Sequence, residues 1–251
     1  MNWQTLLFVV LLAAILLYSK LRHKLTDDGL LAAALTGILV YIAFGLPGIA
    51  IMGSFFLLGN LATSWKLNFK EKIGAVDNAR GIRNGRQVFA NGGVAALLAM
   101  ICVADRSLFT MTFMMMAASL SSATADTLSS ELGTVYGKRF YNVVSFRPDK
   151  RGENGVVSLQ GTLFGLLGSL IIAVIFFLTA SNGSADSGTL SSGDPLMNSI
   201  IVVVAGTFGN FSDSVLGATL ERRNQLKNNG VNFLNTALAA AFALILWQVT
   251  R

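Results

Sequence analysis

The 251-residue chain contains one cysteine, one histidine and three prolines, and only 13% of its residues are charged. The single cysteine, Cys102, excludes an intramolecular disulfide and any cluster of cysteine metal ligands. The single histidine, His23, argues against a histidine zinc site and against a histidine-dependent catalytic triad. The common chemistries of soluble hydrolases and zinc enzymes are therefore largely excluded.

The chain is instead rich in apolar sequence. Hydrophobic residues make up 53% of it, and its mean hydropathy is +0.61. A helix that crosses the roughly 30 Å hydrocarbon core needs about 20 apolar residues, and runs near that length recur along the chain. These properties exclude an ordinary soluble protein and predict an all-α, polytopic membrane helix bundle that forms a single domain over residues 1–251.

Eight membrane spans are predicted from the apolar runs, near residues 3–18, 30–44, 48–64, 88–104, 108–125, 159–180, 196–217 and 231–249. The second and third spans are short and are separated only by Gly45-Leu46-Pro47-Gly48. That sequence favours either a tight helical hairpin or a re-entrant pair that does not cross. Six or seven crossings are therefore open alternatives.

Basic residues are concentrated between alternate spans. The segments at about 19–29, 65–87, 126–158 and 218–230 contain all of the 19 Lys and Arg residues except Arg106 and Arg251. The positive-inside rule places these segments in the cytoplasm, with both termini and the Ser/Gly-rich segment 181–195 outside. This distribution explains the net charge of +6, so nucleic-acid binding has no remaining support. The expected location is a bacterial inner membrane, with any active site on the cytoplasmic side.

Two carboxylates follow long apolar runs. Asp126 and Asp213 lie 17 positions after Phe109 and Leu196, the outer ends of their runs. At about 1.5 Å per residue this is roughly 25 Å along a helix, so both lie near the cytoplasmic edge of the hydrocarbon. A carboxylate at that depth is costly unless it is paired or bound to a metal, and we predict a functional role for both.

Both aspartates belong to faces of small and polar residues at helical spacing, and similar faces begin the sixth and eighth spans. These faces contain Ser119, Ala123, Ser130, Gly133 and Gly137, then Gly206, Asn210 and Gly217, then Ser158, Thr162, Gly165 and Ser169, then Asn232, Asn235 and Ala239. Helix packing is the favoured explanation for the Gly, Ser and Ala positions. With the aspartates included, the faces predict four helices that converge on a polar cytoplasmic cavity.

The segment 126–158 combines four carboxylates, several glycines and five cations, and it includes Gly137-Lys138-Arg139. A nucleoside triphosphate site needs three kinds of group. Carboxylates hold Mg²⁺, glycines let backbone amides approach the phosphates, and cations neutralise the phosphate charge. The string GTVYGKR is not a Walker A loop, since three residues separate its glycines and Arg139 follows the lysine. By itself, an ordinary solvated loop explains the segment equally well. In the basic segment 65–87, phosphate binding and lipid-headgroup binding fit equally well.

Six motifs in order resemble the transmembrane protein 19 family, whose plant chloroplast members are phytyl-phosphate kinases. They are FFLLGNLATSWK, GIRNGRQVFANGG, ADTLSSELGTVYGK, GENGVVSLQGT, GTFGNFSDSVLGATLE and NNGVNFLNT, and they extend over most of the chain. A more distant resemblance connects Asp126, Gly137, Lys138, Glu153 and Gly155 to the CTP-dependent dolichol kinase, phytol kinase and CDP-diacylglycerol synthase group. These resemblances imply transfer of a γ-phosphoryl group from CTP, or from another nucleoside triphosphate, to an isoprenoid monophosphate.

The hypothesis from sequence is therefore an Mg²⁺-dependent membrane kinase that holds the isoprenoid tail in a lateral apolar groove among membrane lipids. Asp126, Asp213 and Glu131 would hold Mg²⁺, and Lys138 would act with them on the triphosphate. The remaining residues expected at the nucleotide are Lys72, Arg83, Arg86, Asn91, Ser130, Gly133, Gly137, Glu153 and Ser158. A lipid nucleotidyltransferase and an ion-coupled transporter are the alternatives.

Overall fold

The computed structural model describes residues 2–75, 81–183 and 194–250. Most of the segment 181–195, together with Arg80, lies outside these residues. The helices are α1 (Trp3–Leu21), α2 (Asp27–Ser64), α3 (Leu67–Lys72), α4 (Gly85–Ala104), α5 (Phe109–Tyr136), α6 (Leu159–Gly183), α7 (Pro195–Leu216) and α8 (Asn228–Val249). Within this described part of the chain, all of them except α3 are long and apolar enough to cross a membrane. The predicted polytopic helix bundle is thus confirmed.

α2 contains both of the short predicted spans, and it folds back on itself at Gly45. This residue has φ 63° and ψ −153°, a conformation available almost only to glycine, and Pro47 follows it. A Cβ atom at Gly48 would lie 2.9 Å from a methyl group of Val40, eight residues earlier. In a straight helix those two residues would be about 12 Å apart. α2 is therefore a helical hairpin.

The contacts of the hairpin show that each arm extends along the whole bundle. Lys24, just before α2, donates from Nζ to Ser64 Oγ at 2.7 Å, so the two free ends of the arms are adjacent. At the opposite end, the Arg106 guanidinium donates to the Ala43 carbonyl at 2.7 Å. Because Arg106 follows α4, the turn reaches the far end of that span. Counted by arms, the chain crosses the bundle eight times, and the re-entrant alternative is not supported.

α5 is the central helix and the most buried of the spans. It packs against α2, α4, α6, α7 and α8. Its middle section, residues 116–125, is completely buried and consists mainly of Ala, Ser and Thr. Gly206 and Gly209 of α7 pack directly on Ser121 and Ser122, a close approach that small residues permit. The continuous buried section of α5 ends at Ala125, and Asp126 is the next residue.

The four basic segments meet at one end of the bundle, which we call the basic end. Trp65 Nε1 donates to the Tyr136 hydroxyl at 2.9 Å, and Arg222 Nε donates to the Asn154 carbonyl at 2.6 Å. These contacts join segments that are 71 and 68 residues apart in sequence. The loops thus form a continuous polar layer over the ends of the helices.

The boundaries of these segments differ from the predicted ones. α5 continues as a helix to Tyr136, because Gly133 is an isolated glycine and does not end the helix, so the loop predicted over 126–158 begins only at residue 137. This loop contains a short antiparallel pair, β1 (Tyr141–Asn142) and β2 (Val156–Val157). In the segment 218–230, a π-helical turn, Gly217–Glu221, extends α7, and α8 starts at Asn228.

Candidate active site

A cavity of about 520 Å³ opens at the basic end, among α4, α5, α7, α8 and the loops. Polar side chains and backbone groups form most of its wall. The predicted site residues that line it are Arg83, Asn91, Asp126, Ser130, Glu131, Gly133, Glu153, Ser158 and Asp213. The structure therefore brings together residues from four separate parts of the sequence.

Asp126 and Asp213 form the centre of the cavity, where α5 meets α7. Their carboxyl groups lie within hydrogen-bonding distance of each other. Asn235 of α8 donates from Nδ2 to Asp213 Oδ1 at 2.6 Å, and Ser122 donates to Asn235 Oδ1 at 3.0 Å. Asn235 and Ser122 are fully buried. The carboxyl pair is therefore held in place from three helices.

The carboxyl pair suits a divalent cation. Two carboxylates at this separation repel each other unless a cation or a proton lies between them. Mg²⁺ in phosphoryl-transfer sites is bound by one or two carboxylates together with phosphate oxygens. Among the residues that the structure describes, no three His, Cys, Asp or Glu side chains are grouped as a metal site. Asp126 and Asp213 thus fit Mg²⁺ bound with a phosphate ligand, and Glu131 does not join them.

Glu131 is instead paired with Lys70 of α3. Lys70 Nζ lies 2.6 Å from Glu131 Oε2, and it also donates to the carbonyls of Thr63 at 2.7 Å and Ala62 at 3.1 Å. The lysine is only 1% exposed although it lies on a short helix between two membrane spans. No sequence signal distinguishes it from the exposed Lys72 on the same helix, because basic residues are ordinary in a positive-inside loop. Lys70 is the cation that sequence reasoning missed.

Arg83 is the second cation in the wall of the cavity, and it is partly buried. Its guanidinium lies against Gly59, where a Cβ atom would be 3.1 Å away, and 6.0 Å from the ring centre of Phe55. Burial lowers the pKa of Arg83, and the charges of Glu131 and Asp126 oppose this effect. A guanidinium stays protonated in proteins, so Arg83 brings a positive charge to the cavity.

Four of the predicted residues do not line the cavity. Lys72, Arg86 and Lys138 are exposed, and the backbone N–H of Lys138 donates to Gln160 Oε1 at 3.2 Å. Gly137 is buried under the ring of Phe140, where it ends α5. Among the residues that the structure describes, the cations that line the cavity are thus Lys70 and Arg83.

The cavity wall also contains residues that sequence reasoning left out of the site. They are polar and come from α4, α7, α8 and the loops: Gln87, Asn154, Asn210, Glu221, Asn228 and Asn232. Asn210 and Asn232 could have been included, since both occur on the polar helical faces that carry the site. The other four residues line the cavity only because separate segments pack together at the basic end, which the sequence does not show.

The loop between α5 and α6 is fastened to the end of α7. Arg222 donates to the Asn154 carbonyl, and its NH2 atom lies 2.8 Å from Asp149 Oδ2. The Lys150 backbone N–H and the Arg222 guanidinium, together with Asn142, hold the pKa of Asp149 below its usual value. Gly155 has φ 71° and packs against the backbone of Ala218. This contact positions Glu153 and Ser158 on the cavity wall.

The sequence model of the integral membrane protein family DUF92 matches residues 8–240 of the chain. The chain belongs to this family. Protein VTE6, chloroplastic, of Arabidopsis thaliana is 29% identical over 98% of this chain and 72% of its own length. The uncharacterized membrane protein MJ0933 of Methanocaldococcus jannaschii is 26% identical over 95% of the chain and 92% of its own. No solved structure matches the chain.

A third relative, the uncharacterized membrane protein sll0875 of Synechocystis sp., is 29% identical over 96% of this chain and 93% of its own length. The similarity to these relatives therefore extends over almost the whole chain, including every helix that contributes to the cavity. The family model establishes that the chain belongs to this integral membrane family.

Gly155→Ala is expected to destabilise this DUF92 protein by more than about 2 kcal/mol, because the new Cβ would collide with Ala218 in addition to straining a positive φ. Gly74→Ala is the matched control. Gly74 has φ 69° but no atom within 4 Å of its Cβ position, so it should lose only about 1 kcal/mol. Thermal unfolding of both variants measures the difference, and equal losses would show that the contact with Ala218 contributes nothing.

Proposed function

We propose that this protein is a nucleotide-dependent kinase that phosphorylates isoprenoid monophosphates, such as phytyl or another prenyl monophosphate. It would transfer the γ-phosphoryl group of CTP, or of another nucleoside triphosphate, and release the isoprenoid diphosphate and the nucleoside diphosphate. The observation that carries the proposal is a polar cavity at the basic end with a carboxyl pair and two cations, the buried Lys70 and the partly buried Arg83. The resemblance to phytyl-phosphate kinases and the chloroplast protein among the relatives support it.

The reaction needs no nucleophile from the protein. An oxygen of the acceptor monophosphate attacks the γ-phosphorus, and the bond from that phosphorus to the β–γ bridging oxygen breaks. Catalysis is then a matter of positioning and charge neutralisation. Mg²⁺, when bound, would offset the negative charge of the phosphates. Asp126 and Asp213 would hold it, and Asn235 and Ser122 would keep Asp213 oriented.

The cations and loops of the cavity complete this scheme. Arg83, opposite the carboxyl pair, would neutralise an acceptor or donor phosphate, while Lys70 contributes positive charge behind Glu131. Asn91, Ser130, Gly133, Glu153 and Ser158 line the part of the cavity left for the nucleotide. We infer that the basic end faces the cytoplasm, where nucleotides are available, and that the membrane is a bacterial inner membrane.

The position of the carboxyl pair favours an enzyme over an ion-coupled transporter. Transporter sites lie near the middle of the bilayer, between repeated units. Here the cavity shares its wall with the loops at the basic end, including Glu153 and Asn154. The lipid nucleotidyltransferase alternative uses the same kind of Mg²⁺–triphosphate arrangement and differs in the bond that breaks.

Labelled nucleotide separates these functions. We expect the purified protein in lipid nanodiscs to move label from γ-labelled CTP into farnesyl or phytyl monophosphate, in a reaction that requires Mg²⁺. Label from the α-position in the lipid would instead demonstrate a nucleotidyltransferase. If neither label reaches lipid with any of the common nucleoside triphosphates, the kinase proposal is wrong.

A further inference from the structure

We propose that the isoprenoid tail lies in a second, apolar cavity between α1, the α2 hairpin and α4, and that this cavity sets the preferred length of the tail. This inference rests on the proposed function, since it assigns a place to the tail of that substrate. The cavity has a volume of about 90 Å³, which is smaller than a farnesyl or longer tail, so such a tail would occupy it with α1 displaced outward. Its wall is almost entirely apolar and includes Phe8, Leu12 and Leu16 of α1, Ile49 and Met52 of α2, and Val88 of α4.

The apolar cavity adjoins the polar one. Arg83, Gln87 and Asn91 line both. Asn91 is held by a hydrogen bond from its Nδ2 to the Gln87 carbonyl at 3.0 Å, so the boundary between the two cavities is built from fixed groups. A ligand with an anionic head at Arg83 therefore has an apolar space directly beside that head. An isoprenoid monophosphate has this combination of head and tail.

The shape of the apolar cavity indicates a limit on the length of the tail. At the end farthest from Arg83, Phe8 stacks on Tyr41 with the ring centres 4.0 Å apart. Thr5 and Tyr41 share a hydrogen bond of 3.1 Å between their hydroxyl groups at the same level. From Leu16 to Phe8 the cavity wall on α1 extends roughly 12 Å. A tail that enters at Arg83 would meet this aromatic pair, and longer tails would have to leave toward the lipid.

α1 is the helix of the apolar cavity that can move away from the bundle most easily. It packs mainly on α2 and is the least buried of the spans. A substrate that arrives from the bilayer must pass between helices, and a peripheral helix with few partners costs the least to displace. The position of α1 thus gives the tail a lateral route into the cavity without opening the central bundle.

Gly53 offers a way to fill the apolar cavity. It lies on the cavity wall, and a Cβ atom at this position would have no atom within 4 Å. A leucine would extend from this open position toward the cavity, and it is a better helix former than glycine, so we expect Gly53→Leu to fold. The matched control is Ala50→Leu, which adds a leucine to an exposed position of the same helix arm, outside the cavity.

The kinetic test compares isopentenyl, farnesyl and geranylgeranyl monophosphate as acceptors. For Gly53→Leu we expect the KM for geranylgeranyl monophosphate to rise about tenfold, because burial of about two methylene groups is lost. The KM for the nucleotide and the kinetics with isopentenyl monophosphate should change much less, and Ala50→Leu should resemble the wild type. An equal effect on short and long acceptors, or none on the long ones, would overturn the tail assignment.

A binding test separates this inference from the proposed function. A farnesyl monophosphate analogue with a diazirine on its tail should label peptides that contain residues 8–16 or 49–56, and geranylgeranyl monophosphate should compete. Such labelling without phosphoryl transfer would support the tail site and refute the kinase. Transfer with labelling elsewhere would refute the tail site alone. Equal competition by phosphatidylglycerol would make the cavity a general lipid site and overturn the proposal.

Discussion

Asp126→Asn and Asp213→Asn are each expected to lower kcat for phosphoryl transfer by at least about 10²- to 10³-fold, with the protein still folded. The amide keeps the shape of the carboxyl group but removes the charge that Mg²⁺ requires. The change also removes repulsion between two carboxylates that lie within hydrogen-bonding distance, so the Tm without Mg²⁺ should stay the same or rise. Initial rates with γ-labelled CTP and thermal unfolding measure both effects.

Asp105→Asn is the control for this pair. Asp105 lies between α4 and α5 at the opposite end of the bundle, where its carboxylate accepts a hydrogen bond from the Ser107 backbone N–H at 2.9 Å. Asparagine can accept the same bond, so rate and Tm should both stay near wild type. The reverse pattern at positions 126 and 213, with a lower Tm and full activity per folded molecule, would mean that the aspartates only connect helices.

Lys70→Met is expected to cause the largest loss of stability in the basic end, about 3 kcal/mol. Removing one partner of a buried ion pair costs about 3–5 kcal/mol, because the remaining charge is left without compensation. The lower value applies here because the Glu131 side chain is 25% exposed. The carbonyls of Ala62 and Thr63 would also lose their donor. For a chain of this size, the Tm should fall by about 6–12 °C.

Two further variants test the origin of this loss. Lys72→Met changes an exposed lysine on the same helix and should alter the free energy of unfolding by less than about 0.5 kcal/mol. Glu131→Gln should also lower the free energy of unfolding, because the buried Lys70 would keep its charge and lose the carboxylate that compensates it. Similar Tm values for the two lysine variants would show that the ion pair with Glu131 does not stabilise the fold.

The sequence by itself determined the membrane class, the number of apolar runs and the depth of the two aspartates. These are local properties: a run of apolar residues forms a span, and a fixed rise per residue converts sequence position into depth. Gly45 and Pro47 likewise indicated the position of the hairpin turn, since few residues adopt the conformation found at Gly45. The same depth for Asp126 and Asp213 was enough to predict that they meet.

Only the tertiary structure decided which loop cations reach the cavity. Lys70 meets Glu131 across 61 residues of sequence, and Asn235 meets Ser122 across 113. Lys138 follows Gly137 and was expected at the triphosphate, yet it is exposed beyond the end of α5. The loops carry basic residues throughout, so charge alone does not distinguish one position from another. The burial of Lys70 and the exposure of Lys138 result from how the ends of separate helices pack, a property that no single segment contains.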